Sequence, residues 1–166
     1  MNKKFIAMLF LLAPLTLFAQ KFGHLNSGDI IQAMPEYKAA QTELQNLEKQ
    51  YSDELKMMET ELSKKSEEYE VQKATLPENI RQRRETELQE LYGRMQQYYQ
   101  QSQQELQKAS QDKMASLTDK ITKAIKEVGV AGGFLYIFDT ASGIPYISET
   151  LSTDVTAQVK AKLGIQ

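Results

Sequence analysis

From Glu36 to Val128 the chain keeps one rhythm, apolar residues returning every three or four positions with a single interruption. Tyr37, Ala40, Leu44, Leu47 and Tyr51 open the pattern, and Leu55, Met58, Leu62 and Tyr69 carry it on after one extra step of four. After "ATLPEN", a second seam runs through Leu88, Leu91, Met95, Tyr98, Ser102, Leu106 and Ala109, and Leu117, Ile121, Ala124 and Val128 resume it. This spacing lays a narrow apolar stripe along a helix, and the extra step is a stutter of the coiled-coil kind. Two long helices are expected, from Glu36 to about Thr75 and from about Glu78 to Val128, with a tight turn near 74–79. Thr75 and Glu78 form a capping-box pattern with Pro77 in the first turn. The antiparallel hairpin would reach roughly 60–75 Å at 1.5 Å per residue. Its narrow seam leaves each helix nearly all surface.

Charge agrees with pairing. The first helix holds Glu43, Glu48, Asp53, Glu54, Glu59 and Glu61; the second holds Arg81, Arg83, Arg84, Arg94, Lys108 and Lys113. Each exposed pair contributes only about 0–1 kcal/mol. From Gln96 to Gln111 the surface is mostly glutamine, a solvated face without like-charge repulsion.

The flanks of the hairpin read differently. "KFGHLN" is a short strand candidate with Gly23 and Leu25 on one side, and "SGDIIQAM" a short helix capped by Ser27. Beyond the hairpin, Gly129 is a left-handed cap candidate. "GGFLYIFDT" then carries five large apolar residues, Phe134 to Phe138, an expected buried strand. "ASG" turns the chain, and "IPYIS" is expected as a second strand, on an edge because Pro145 has no N–H. "STDVTAQVKAKLG" closes as a helix capped by Ser152 or Thr153, with Val155, Val159 and Leu163 on one face and Gly164 as its stop.

The hairpin brings the apolar strand back to "KFGHLN" on one edge, with "IPYIS" on the other. The terminal helix can cover one face of this sheet, and nothing left in the sequence can cover the second. Burying one Phe or Ile contributes about 1.5–3 kcal/mol, so a wet face forfeits several such gains. So small a unit is marginal alone. The expected fold class is α+β: a small β-rich oligomerisation body (20–35 and 129–166) with a long helical-hairpin arm (36–128). The body would join copies through Phe22, Leu25, Phe134, Leu135, Tyr136, Ile137 and Phe138.

Ahead of the body, Lys3 and Lys4 precede an apolar run from Phe5 to Phe18 and then Ala19, the layout of a cleaved secretory signal peptide (1–19). The run falls short of the roughly 20 apolar residues a spanning helix needs. The chain has no cysteine, so an exported form gains nothing from disulfides. Its formal charge is −2, and loss of Lys3 and Lys4 makes it −4, which disfavours nucleic acid as a partner.

The segments "KFGHLNSGDIIQAMPEY" at the front and "ITKAIKEVGVAGGFLYIFDT…IPYIS…STDVTAQVKAKL" at the back, set around a hairpin, resemble the Skp/OmpH family of periplasmic chaperones over essentially all of Gln20 to Gln166. The resemblance implies a homotrimer, a β-rich body with three arms around a cavity. It also implies a function: ATP-independent holding of unfolded outer-membrane β-barrel proteins. Members are often basic, whereas this chain has a pI near 5.6, which weakens any purely electrostatic mode of capture.

Catalytic chemistry has little material. The chain has one histidine, His24, no cysteine and no phosphate-binding loop, and neither an enzyme nor a cofactor or metal is expected. Asp139 reads as a turn-former. Lys64, Lys65, Lys73, Arg81, Arg83 and Arg84 gather at the arm tip, either as ordinary helix solvation or as client or transient membrane contacts. Met57, Tyr92 and Tyr99 fall off the seam and are candidate apolar client contacts. Gly93, mid-helix, would let the arm bend or let the helices pack closely. The alternative reading is a coiled-coil spacer or scaffold of the cell envelope with one constant partner.

Overall fold

A computed structural model of the protein describes residues 20–165; the expected signal peptide and its cleavage after Ala19 lie outside them. The chain runs β1 (Lys21–Leu25), α1 (Ser27–Ala33), α2 (Pro35–Gln72), α3 (Glu78–Gly132), β2 (Phe134–Asp139), a 3-10 turn (Thr140–Ser142), β3 (Ser152–Asp154) and α4 (Thr156–Lys162). It is mostly helical with one three-stranded sheet, in keeping with the expected α+β class.

The arm is α2 against α3. Met34, extended at φ −71° and ψ 127° because Pro35 follows it, ends α1, and Pro35 opens α2. The 38 residues of α2 span about 57 Å and the 55 of α3 about 82 Å. The excess length of α3 belongs to the body. Seam residues are where the period places them: Ala40, Tyr69, Leu91 and Ser102 are buried, Leu117, Ile121, Ala124 and Val128 at the root are buried, and the rest are half-buried. Lys120 bonds Glu36 and Lys113 bonds Glu43 across the seam, as the Tyr51 hydroxyl does Glu105 and the Tyr69 hydroxyl Glu85. Steps of seven and then eight along α2 match steps of seven and eight back along α3, so the register holds from root to mid-arm.

The tip departs from the expected capping box. The Thr75 hydroxyl donates to the Gln72 carbonyl and finishes α2. Pro77 takes the cap position of α3, its carbonyl accepting from the amides of Ile80 and Arg81.

In the sheet, the order is β2-β1-β3. The expectation that the apolar strand is central is therefore corrected: β1 is central and β2 lies at an edge. Both pairings are parallel, so the whole arm serves as the crossover between β1 and β2. The expected strand "IPYIS" is also corrected. Ser152–Asp154 takes the second edge of β1, and Ile144–Ser148 runs outside the ladder. Pro145 lacks a donor for that ladder, whereas the Val155 amide, just past β3, bonds the His24 carbonyl at 2.8 Å.

Three other caps differ from expectation. Asn26, not Ser27, caps α1, accepting from the amides of Gly28 and Asp29. Gly133, not Gly129, takes the left-handed conformation (φ 62°) that ends α3. Ser152 and Thr153 lie in β3, and the Asp154 carboxylate accepts from the Thr156 amide at the start of α4. Gly164 (φ 72°) ends the C-terminal helix as expected.

The body core is Leu25, Ile30, Met34, Leu117, Ile121, Ala124, Val128, Val155 and Val159. The last turns of α3, together with α1 and α4, thus cover one face of the sheet. A register shift between Lys21 and Phe22 opposes Tyr136, rather than Leu135, to Phe22. This bulge turns Phe134 to the same side as Ile137, and both pack on the core beside Gly23. A Cβ at Gly132 would stand 2.3 Å from the Phe134 ring, so only glycine lets that ring fold back on the helix end.

Candidate functional site

Among the described residues no helix lies over the other face of the sheet. Phe22, Tyr136 and Phe138 lie there as a stack, with centroids 6.4 Å apart for Phe22–Tyr136 and for Phe22–Phe138, and 6.0 Å for Tyr136–Phe138. Beside them the loop after Gly143 forms an apolar groove of ≈ 390 Å³, lined by Phe22, Phe138, Ile144, Tyr146, Ile147 and Leu151. Tyr136 is 59 % exposed and Tyr146 79 %. Leu135 is exposed on β2, whose outer edge pairs with no strand among the described residues. An apolar patch of this kind marks an interaction surface.

Of the seven residues expected at this surface, Phe22, Leu135, Tyr136 and Phe138 are on it or its edge. Leu25, Phe134 and Ile137 turn inward to the chain's own core. Tyr146 and Leu151 were missed. Tyr146 lies among the apolar residues of "IPYIS", whose expected strand pairing concealed its exposure, and Leu151 lies beyond that segment.

Asp139 does more than turn the chain. Its carboxylate accepts from the Ser27 amide (3.1 Å), the Ser27 hydroxyl (2.6 Å) and the Ala141 amide (3.0 Å), tying the end of β2 to the start of α1. Partial burial works against its charge, but these hydrogen bonds outweigh it and hold the carboxyl below its usual range.

His24 sits on the outer face, its Nδ1 2.9 Å from Ser152 Oγ, with Asp154 opposite it in the β1–β3 register. The trio has the residue types of a hydrolytic triad. Its geometry differs, because the Asp154 carboxylate is engaged at the start of α4 and the serine meets Nδ1 directly. Among the described residues no group of His, Cys, Asp and Glu gathers in a metal-holding cluster.

At the arm tip the cations pair within their own helices. Lys65 meets Glu61 at 3.0 Å, Lys73 meets Glu70 at 3.3 Å and Arg81 meets Glu78, while Arg83 and Arg84 share Glu87 at 3.5 and 3.1 Å. Lys64 stands exposed. From Lys64 to Glu87, six cations face six carboxylates, so the tip carries no net charge. Further down the arm, Met57, Tyr92 and Tyr99 are each more than half exposed, clear of the seam.

A hairpin arm set on a small sheet with an aromatic outer face agrees with the comparisons. Residues 21–163 match a family described as outer membrane protein (OmpH-like). The chain belongs to the OmpH-like family. A solved structure from Caulobacter crescentus CB15, described as a candidate OmpH-like outer membrane chaperone, shares the fold at a TM-score of 0.75. It is 19 % identical, over 87 % of this chain and 83 % of that one. No curated protein sequence matches. This OmpH-like chain carries a neutral tip and a mid-arm stretch of α3, between Arg94 and Glu105, with no charged residue.

Proposed function

We propose that this OmpH-like protein is an ATP-independent chaperone of the periplasm that holds unfolded outer-membrane β-barrel proteins between its arms. It assembles as a homotrimer through the outer face and free edge of the sheet. The observation that carries this reading is the Phe22–Tyr136–Phe138 stack with its apolar groove, left open by the chain's own helices. A second copy seated there would bury rings whose exposure otherwise costs several kcal/mol in total, at about 1.5–3 kcal/mol each. Arms of some 57 Å or more, rooted in that assembly, would then enclose a shared volume. Family membership and the described role of the Caulobacter protein support the chaperone part.

The tip cations contribute less than their number suggests, because nearby carboxylates neutralise them. Membrane contact through Lys64, Lys65, Lys73, Arg81, Arg83 and Arg84 is accordingly transient. Client contact falls to exposed apolar and amide side chains along the arm, Met57, Tyr92 and Tyr99 among them.

Two measurements test the reading. Light-scattering mass of residues 20–166 should give three copies; a single-copy mass at micromolar concentration, with the chain folded, rejects assembly. A denatured outer-membrane β-barrel protein diluted into the chain without ATP should stay soluble. Undiminished aggregation at stoichiometric excess rejects the holdase.

A further inference from the structure

On α3, Tyr92, Gln96, Tyr99, Gln103 and Gln107 follow one another by four, three, four and four residues. At 100° per residue they share one flank, beside the seam rather than in it. On α2, Gln45, Glu48, Ser52, Lys56 and Glu59 step by three, four, four and three and form the facing lip. Two grooves of ≈ 540 and ≈ 550 Å³ lie end to end between these lips, the first reaching Gln96 and Tyr99, the second Gln103 and Gln107. Leu55 and Met95 floor the first, Leu44 and Leu106 the second. The α3 lip is uncharged from Met95 to Gln104, and α2 supplies Glu48 and Glu59 against Lys56.

The opposite flank differs. There Gln101 donates to Glu105 at 2.9 Å, and the ion pair Lys108–Asp112 stands exposed. Among the described residues the amides of Gln96, Gln103 and Gln107 make no such side-chain bond.

We propose that this flank is a binding groove for one extended segment of unfolded polypeptide, recognised through its backbone. The proposal rests on the holdase reading and names the chemistry of its contacts. A primary amide offers two donors and an acceptor, so each glutamine can answer both the N–H and the C=O of an unpaired peptide unit. Tyr92 and Tyr99 add sequence-tolerant apolar contact. Met95 to Ser110 spans about 22 Å of helix, the length of roughly seven extended residues. The uncharged α3 lip, facing an α2 lip of two glutamates and one lysine, imposes little charge selection on clients, which suits a protein that must hold many sequences. Each contact is weak, and repetition along the groove and across copies multiplies them.

The probe is a capped, uncharged octapeptide of alternating valine and threonine with a fluorescent label, read by anisotropy against residues 20–166. Its twin is N-methylated at alternate residues and lacks those donors. The parent peptide should bind with an affinity flat in salt, and the twin roughly tenfold more weakly or worse. Gln96→Ala, Gln103→Ala and Gln107→Ala together should weaken the parent by a similar factor. Alanine is the better helix former, so the arm persists, and circular dichroism checks it. Gln97→Ala, Gln101→Ala and Gln104→Ala, on the other flank, should leave binding unchanged. No parent binding, equal binding of the twin, equal loss in both triple variants or a steep salt dependence each overturns the proposal. If the unaltered chain fails to keep a denatured β-barrel protein soluble, the holdase reading fails. If it succeeds and the Gln96/Gln103/Gln107 variant succeeds equally with peptide binding intact, only the groove fails.

Discussion

In the arm, each seam residue lies three or four positions from the next: Ala40, Leu44 and Leu47, or Leu88, Leu91 and Met95. In the body, Leu25 shares a core with Val128 and Val155, more than a hundred positions away. The arm therefore needs only its own turn to form, while the body needs both ends of the chain. A seam of half-buried residues spreads stabilisation thinly along α2 and α3. A core of fully buried ones concentrates it at the root, where α1, α3, α4 and the inner face of the sheet meet. Loss at one place should be severe in the body and mild in the arm.

The largest expected effect tests that contrast directly. Leu25→Ala empties a fully buried site in the core and should cost about 3–5 kcal/mol in urea denaturation at fixed protein concentration. A cost below about 1 kcal/mol would put the body on the same footing as the arm.

Next comes the junction at Asp139. Asp139→Ala strands the Ser27 amide and hydroxyl and should cost about 2 kcal/mol at neutral pH. The carboxyl is held below its ordinary value of 3.8, so its contribution is complete well above pH 3.8 and is lost as pH falls through the folded-state value. The gap between wild type and variant should be flat near neutrality and narrow on acidification below 3.8. A gap that widens there would place the stabilising charge elsewhere.

In the arm, burial of the Tyr69 ring and its hydrogen bond to Glu85 push the Tyr69 pKa up to about 12. Tyr69→Phe keeps the ring and removes that bond, so about 1 kcal/mol is expected to go, with the body's hydrogen-exchange protection unchanged. Smallest, and opposite in sign, is Gly93→Ala. A Cβ there would meet nothing within 4 Å, so close packing does not explain this glycine. Alanine should stabilise α3 by about 0.5–1 kcal/mol in thermal or urea unfolding. A loss instead would mean that the arm bends at Gly93 in its stable form.

The arm was legible from sequence because its signal is periodic and local. Tyr37 to Tyr69 and Leu88 to Val128 gave the hairpin, its turn and its seam. The exposed flank residues followed from the same phase, since Tyr92 and Tyr99 fall outside the stripe. The groove that Tyr99 lines was not visible, because it depends on which α2 residues stand opposite. In the body, the element order and the uncovered face were legible from the lack of any segment left to cover it. Strand order was not.

The caps show why. Asn26 and Ser27 are equally good candidates by composition, and the choice falls to Asn26 while the Ser27 hydroxyl bonds Asp139, 112 positions away. Gly129 and Gly133 are equally permissive residues. Yet α3 runs past Gly129, which lies against Ile137, and ends only at Gly132, whose missing side chain leaves room for the Phe134 ring.

Sequence alone determined the helical hairpin, since 3.6-residue periodicity is a property of neighbours along the chain. It also determined that one sheet face stays bare, which is a matter of how much apolar chain exists. Tertiary structure decided that β1 is central, that Ser152–Asp154 rather than Ile144–Ser148 completes the ladder, and which residues cap each helix. Those outcomes turn on backbone and side-chain hydrogen bonds between segments that share no local pattern, and only the assembled body brings them within 3 Å or so of one another.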